Sequence, residues 1–155
     1  MRWADLEAGA PELAAVGREE FARHGMALVG TLRRDGRPRI SCIDPVLLDG
    51  ELYLGMMWRS RKAVDLLRDP RLVVHNAICT NTGLEVEFSL HGHAEEVDDA
   101  GVRGRFVVAA AARSAWRDPF HLFRVALDSA AVVRYASGHQ HVRVWPGGIE
   151  RRRTY

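Results

Sequence analysis

Apolar positions along the chain change period twice, and those changes divide it into elements. Over Pro11–His24, Leu13, Val16 and Phe21 recur at helical spacing. Pro11 suits a first helical turn, and Gly25 supplies a stop. From residue 26 the pattern becomes that of strands, at 26–32, 38–48 and 51–57. Asp35-Gly36 and Asp49-Gly50 stand between them as hairpin turns. Ser60 reads as the N-cap of a short helix, Arg61–Arg68, with Val64 and Leu67 inward and Asp69-Pro70 ending it. Strands follow at 72–78 and 84–97, the second alternating through Leu84, Val86, Phe88 and Leu90. A helix opens at Asp98-Asp99 and runs to about 112, and short strands are expected at 120–127, 131–135 and 141–145. Pro146-Gly147-Gly148 then turns into a basic tail, Arg151 to Arg153. Six or more antiparallel strands with a few helices predict a mainly β protein, a barrel whose edges are closed or covered. The order of elements is not the alternating β-α pattern of a parallel sheet, and no Gly-x-Gly-x-x-Gly run is present.

Length and composition fit one domain over 1–155, with 47% hydrophobic and 27% charged residues. Residues 1–6 have no apolar core of a signal peptide, and no apolar run approaches a membrane span. The reading is therefore a cytoplasmic protein without a membrane partner. Cys42 and Cys79 both lie in apolar runs, so they are expected to be reduced, buried thiols. The formal charge of +2 does not argue for nucleic acid, and the four tryptophans are scattered rather than arrayed along one strand. His91-x-His93 and His139-x-His141 have strand spacing, but no carboxylate or cysteine stands at an obvious third position, although Glu95 is close to the first pair, so no metal site is assigned. Among the 22 basic residues Lys62 is the single lysine.

That lysine lies in Trp58-Arg59-Ser60-Arg61-Lys62-Ala63, where a strand gives way to a helix. A helix start exposes unpaired N–H groups and the positive end of the dipole. Ser60 adds a hydroxyl, Arg61 a planar fork and Lys62 a compact ammonium. Cations at a helix N-terminus oppose the dipole, and a bound anion would relieve that conflict.

The stretch 25–70 resembles the pyridoxamine-phosphate-oxidase-like split-barrel family. The resemblance rests on strand 26–32 leading into Asp35-Gly36-Arg37-Pro38, on Arg39-Ile40-Ser41-Cys42-Ile43, on Asp49-Gly50 and Leu52-Tyr53-Leu54, and on Ser60-Arg61-Lys62-Ala63 with Leu66-Leu67 and Asp69-Pro70. It implies an antiparallel split β-barrel with peripheral helices, a homodimer with its cofactor at the interface, and an oxidoreductase acting on a small-molecule substrate. The implied cofactor is flavin mononucleotide (FMN), with the deazaflavin coenzyme F-420 as the alternative and a non-catalytic flavin- or haem-binding protein as the rival of another class. Arg61 and Lys62, with Ser60, would hold the phosphate. Arg39 and the backbone of Ile40 and Ser41 would line the ring, and Met56 would meet the cofactor from the third strand. The chain departs from the oxidising members of the family at Asp44, where they carry lysine, and at Gly55-Met56, where they carry Tyr-Thr. No catalytic residue is named.

Overall fold

The computed structural model describes residues 1–80, 82–136 and 138–154, and of residue 149 the backbone alone. Two helices, α1 (Trp3–Gly9) and α2 (Pro11–His24), precede the hairpin β1 (Ala27–Leu32) and β2 (Pro38–Ile43). Next come β3 (Pro45–Leu48), β4 (Glu51–Met57), α3 (Arg61–Arg68), β5 (Arg71–Asn76) and β6 (Val86–Glu96). α4 (Ala100–Ala110), β7 (Phe120–Ala136), β8 (His139–Trp145) and β9 (Ile149–Thr154) complete the chain.

All strand pairs are antiparallel, and the sheet runs β2-β1-β5-β6-β7-β4-β3. β7 is the seam of a split barrel. Its first residues pair with β4 on one side, its middle with β6 on the other, and its last residues with β8. The two Asp-Gly turns form as expected. Gly36, Asp49 and Gly50 all take positive φ, the backbone that such tight turns need.

The barrel interior holds Leu52, Leu54, Met56, Phe88, Leu90, Phe123, Val125 and Leu127. α1 and α2 close it by placing Trp3 and Phe21 against Phe88, with ring centroids 5.3 to 6.2 Å apart. Gly17 permits that approach, because a Cβ there would lie 2.4 Å from the Phe88 ring. α4 covers the outer face of β4 and β7 with Phe106 and Ala110 over Tyr53, Phe120 and Leu122.

Several expectations are corrected. The strand expected at 38–48 breaks at Asp44, so that β2 pairs with β1 and β3 with β4. The two strands expected at 120–127 and 131–135 are one strand of 17 residues. The basic tail is not free, because Arg151, Arg152 and Arg153 lie in β9, paired to β8. α1 was not expected, since seven residues with Trp3 and Leu6 buried give too short a periodic signal. On α3 the inward residues are Ala63 and Leu66, whereas Val64 and Leu67 are exposed. Both cysteines are exposed: Cys42 lies on the outward face of β2, and Cys79 follows β5.

Candidate functional site

The turn between β4 and α3 brings the chemistry together. Met57 O accepts from Ser60 N at 3.0 Å, and Arg59 takes φ 52°, so the chain reverses within four residues and enters the helix at once. Ser60 occupies the N-cap position, but its side chain caps nothing. Its Oγ is buried with no hydrogen-bond partner. A buried hydroxyl without a partner costs about 1–3 kcal/mol, so this atom lies where an acceptor is wanted. Arg61, the first helical residue, is exposed and has no carboxylate partner among the described residues.

Lys62 is half-buried, and its Nζ donates to Cys42 O on β2. Burial holds its ammonium below the ordinary lysine value, opposed by the nearby Cys42 thiol and Asp44. One proton of that ammonium is engaged by the carbonyl, leaving two for another acceptor.

Three further contacts tie α3 to the β1–β2 hairpin. Asp65, buried on α3, accepts from Arg39 Nε at 2.6 Å and from Thr31 Oγ1 at 3.0 Å. Arg68 donates to Leu32 O. Arg39, Ile40, Ser41, Ser60, Arg61 and Lys62 are thereby gathered on one side of the barrel, with Ile40 74% exposed. The guanidinium of Arg39 is neutralised by Asp65, so it offers donors rather than net charge.

Met56 is the correction. Its side chain is fully buried inside the barrel. Side chains alternate along β4, so Met57 faces outward instead, 72% exposed, beside Trp58. Those two residues line a cavity of about 380 Å³ with Trp116, Phe120 and Ser114. Asp44 accepts from Ser114 Oγ at 2.7 Å, which turns its carboxylate toward the end of α4.

Two neighbours escaped the sequence reading. Asp65 lies three residues after Lys62, a helical spacing that could have drawn attention to it. His121, from β7, carried no such signal, because the pairing of Met56 with His121 is tertiary. Its ring stacks on Trp58 with centroids 4.4 Å apart, and its Nδ1 donates to Glu96 Oε1 at 2.6 Å. Among the described residues no group of three His, Cys, Asp or Glu side chains stands placed to hold an ion.

The sequence model of the pyridoxamine 5'-phosphate oxidase family matches residues 14–134. No curated protein matches the sequence. Among solved structures, the conserved hypothetical protein Rv2991 of Mycobacterium tuberculosis superposes with TM-score 0.62 at 21% identity, over 74% of this chain and 81% of that one. A Clostridium acetobutylicum protein related to general stress protein 26, of the pyridoxinephosphate oxidase family, gives 0.59 at 12% identity, over 90% and 92%. A heme binding protein from Mycobacterium smegmatis gives 0.61 at 17% identity, over 90% of this chain and 57% of that one. At such identities these likenesses establish a shared fold.

Proposed function

We propose that this chain, which belongs to the pyridoxamine 5'-phosphate oxidase family, binds the phosphate of FMN at the first turn of α3 and acts as a flavin-dependent oxidoreductase on a small molecule. The observation that carries the reading is the uncapped first turn, with the buried, unpartnered Oγ of Ser60 beside Arg61 and Lys62. A phosphate there would accept from the hydroxyl, from Arg61 and from the spare protons of Lys62, and would meet the positive end of the helix dipole. It would satisfy an orphaned donor and bring an anion to a turn where two cations oppose the dipole.

When bound, the flavin supplies hydride or electron-pair transfer at its ring. The chain's part is to hold and orient it. Ile40 and Ser41 present β2 backbone beside α3, and Arg39, fixed by Asp65, adds guanidinium donors there. Met57 rather than Met56 offers a thioether from β4. The deazaflavin coenzyme, with a longer polyanionic tail, would need further cations, and exposed Arg59 is the nearest in sequence.

The family is typically dimeric, and the apolar surface here is suited to pairing. Ile40, Met57, Trp58, Val64 and Leu67 are between 41% and 74% exposed, and all belong to the elements that carry the site. We read this face as the homodimer contact, with the cofactor at its border. Two exposed, unpaired cysteines fit a reducing compartment, and we place the protein in the cytoplasm. No described helix is long and apolar enough to cross a membrane.

The test is the absorbance of the purified protein followed by titration with FMN. A two-banded flavin spectrum and saturable binding are expected. Arg61→Ala and Lys62→Ala should each weaken affinity by about 1.5–3 kcal/mol, the range for hydrogen bonds to charged groups. A haem Soret band in place of the flavin bands, binding of the deazaflavin alone, or wild-type affinity in both variants would each overturn the assignment.

A further inference from the structure

The cavity beside the Ser60 turn has walls that the phosphate assignment does not use. It encloses about 380 Å³ between the end of β4 and the segment that leads into β7. Met57 and Trp58 line it from the first, and Trp116, Pro119 and Phe120 from the second. Its lining is otherwise nearly free of polar groups. The hydroxyl proton of Ser114 is engaged by Asp44 at 2.7 Å, and Arg117 is exposed to solvent.

The rings of this lining are held from behind. The indole of Trp58 stacks on the imidazole of His121, with centroids 4.4 Å apart and planes 8° from parallel. His121 is itself buried and bound to Glu96 at 2.6 Å. It does not line the cavity, so the part of the indole that does is the part the histidine leaves free. On the other element, Trp116 and Phe120 pack on each other at 5.3 Å and on Phe106 of α4 at 5.9 and 6.0 Å. Arg103 lies over the Phe120 ring, 4.1 Å from its centroid, and donates to Asp118 and to the Phe120 carbonyl, which ties this segment to α4. Rings already fixed lose little freedom when a ligand meets them.

We infer that this cavity binds a planar aromatic molecule and, resting on the FMN reading above, that such a molecule is the substrate class of the flavin reaction. A concave space of this size, lined by aromatic side chains with few polar groups, is the usual form of a small-molecule site. Three rings and a thioether favour a ligand with π faces over an aliphatic one. The cavity starts at Met57 and Trp58, inside the turn that presents the phosphate donors, so its occupant would lie beside the cofactor. Met57 and Trp58 also belong to the face read above as the homodimer contact. A second copy there would roof the cavity, not fill it.

Calorimetric titration of the full-length protein with 2-naphthol and with trans-2-decalol tests the inference. Both are uncharged and share one bicyclic carbon skeleton, but only naphthol is flat and carries π faces. Naphthol should bind saturably and about tenfold more tightly than decalol. Trp58→Leu and Trp116→Leu should each weaken naphthol binding about tenfold while leaving decalol binding nearly unchanged. Met57→Ala should weaken naphthol binding about threefold, and Val108→Ala, on the exposed surface of α4, should leave it unchanged. Naphthol should still bind when FMN is saturating. Equal or reversed preference for the two alcohols, no saturable naphthol binding, or wild-type affinity in both tryptophan variants would overturn the inference. Exclusion of naphthol by FMN would also overturn it, by making the cavity part of the cofactor site. So would naphthol-driven dissociation of a dimer in light scattering, which would show that a second copy fills the space. Should the tryptophan variants fail to fold, Met57→Ala decides, since its side chain is exposed, and unchanged affinity there sinks the idea. FMN binding without naphthol binding removes this inference alone. Naphthol binding without FMN binding removes the cofactor assignment, and with it the substrate role of the cavity.

Discussion

Lys62 is under two opposed demands. Burial against β2 favours its neutral form, so its folded value lies below that of an ordinary lysine. Between the folded and the ordinary value the unfolded chain binds more protons than the folded one, so the stability of the ligand-free protein should rise with pH across that window. Phosphate binding needs the charged form, and affinity should run the other way. FMN affinity should fall as pH rises toward the lysine range, earlier than for a solvent-exposed lysine. Lys62→Arg, always charged, should keep its affinity over the same range. Fluorescence titrations at several alkaline pH values check this, and a flat profile in the wild type would remove Lys62 from the phosphate. Asp65 acts one step back, holding Arg39 at 2.6 Å from within the barrel wall. Asp65→Ala would strand a largely buried guanidinium and leave Thr31 without its acceptor. A loss of about 1.5–3 kcal/mol in urea unfolding is expected, and Asp65→Asn should recover part of it because it keeps an acceptor.

Among the elements, β6 and β7 form the longest ladder, and its register shifts between His91 and Gly92. The bulge presses Gly92 onto the neighbouring strand so closely that a Cβ there would stand 2.3 Å from the Ala126 carbonyl oxygen. Backbone cannot step aside as a side chain can, so Gly92→Ala should cost about 1–3 kcal/mol, while Gly104→Ala on α4, with open space around it, should not. Thermal melts of the two variants read the difference directly. Elements defined by local chemistry were legible in the sequence. Asp49-Gly50 specifies its turn, the alternation from Val86 to Leu90 marks β6, and Ser60 with Asp69-Pro70 bounds α3 at both ends. Features set by partners were not. Nothing local shows that the strand expected at 38–48 must divide at Asp44 to serve two neighbours, or that Arg151 to Arg153 will find β8. The inward face of α3 was misread for the same reason, since eight residues with Ala63, Val64, Leu66 and Leu67 allow either stripe. Ser60, Arg61 and Lys62 were recognisable because adjacent residues make the cluster, whereas His121 reaches Trp58 only through the pairing of β4 with β7.

For the whole molecule, exposed apolar side chains occur in several places: Val108 on α4 and Leu84 before β6 lie away from the candidate site, whereas five others lie on the elements that carry it. Ile40 and Met57 are each more than 70% exposed, and Trp58, Val64 and Leu67 add to them on α3 and the turn before it. Isolated exposed apolar residues are ordinary, and the homodimer contact proposed above rests on these five standing on β2, the end of β4, α3 and the turn before it. In the proposed dimer, a partner seated on these elements would stand beside the Ser60 turn and wall in whatever it binds. Assembly and cofactor affinity should therefore be coupled. A double variant, Ile40→Glu with Leu67→Glu, places charge in the centre of the patch without touching Arg61 or Lys62. It should sediment as a monomer and bind FMN more weakly than wild type, with its circular dichroism unchanged because neither side chain is in the core. Light scattering at micromolar concentration and FMN titration on one preparation give both readouts. A dimeric double variant, or a monomer that binds FMN as the wild type does, would separate the two properties and move the interface to another face of the barrel.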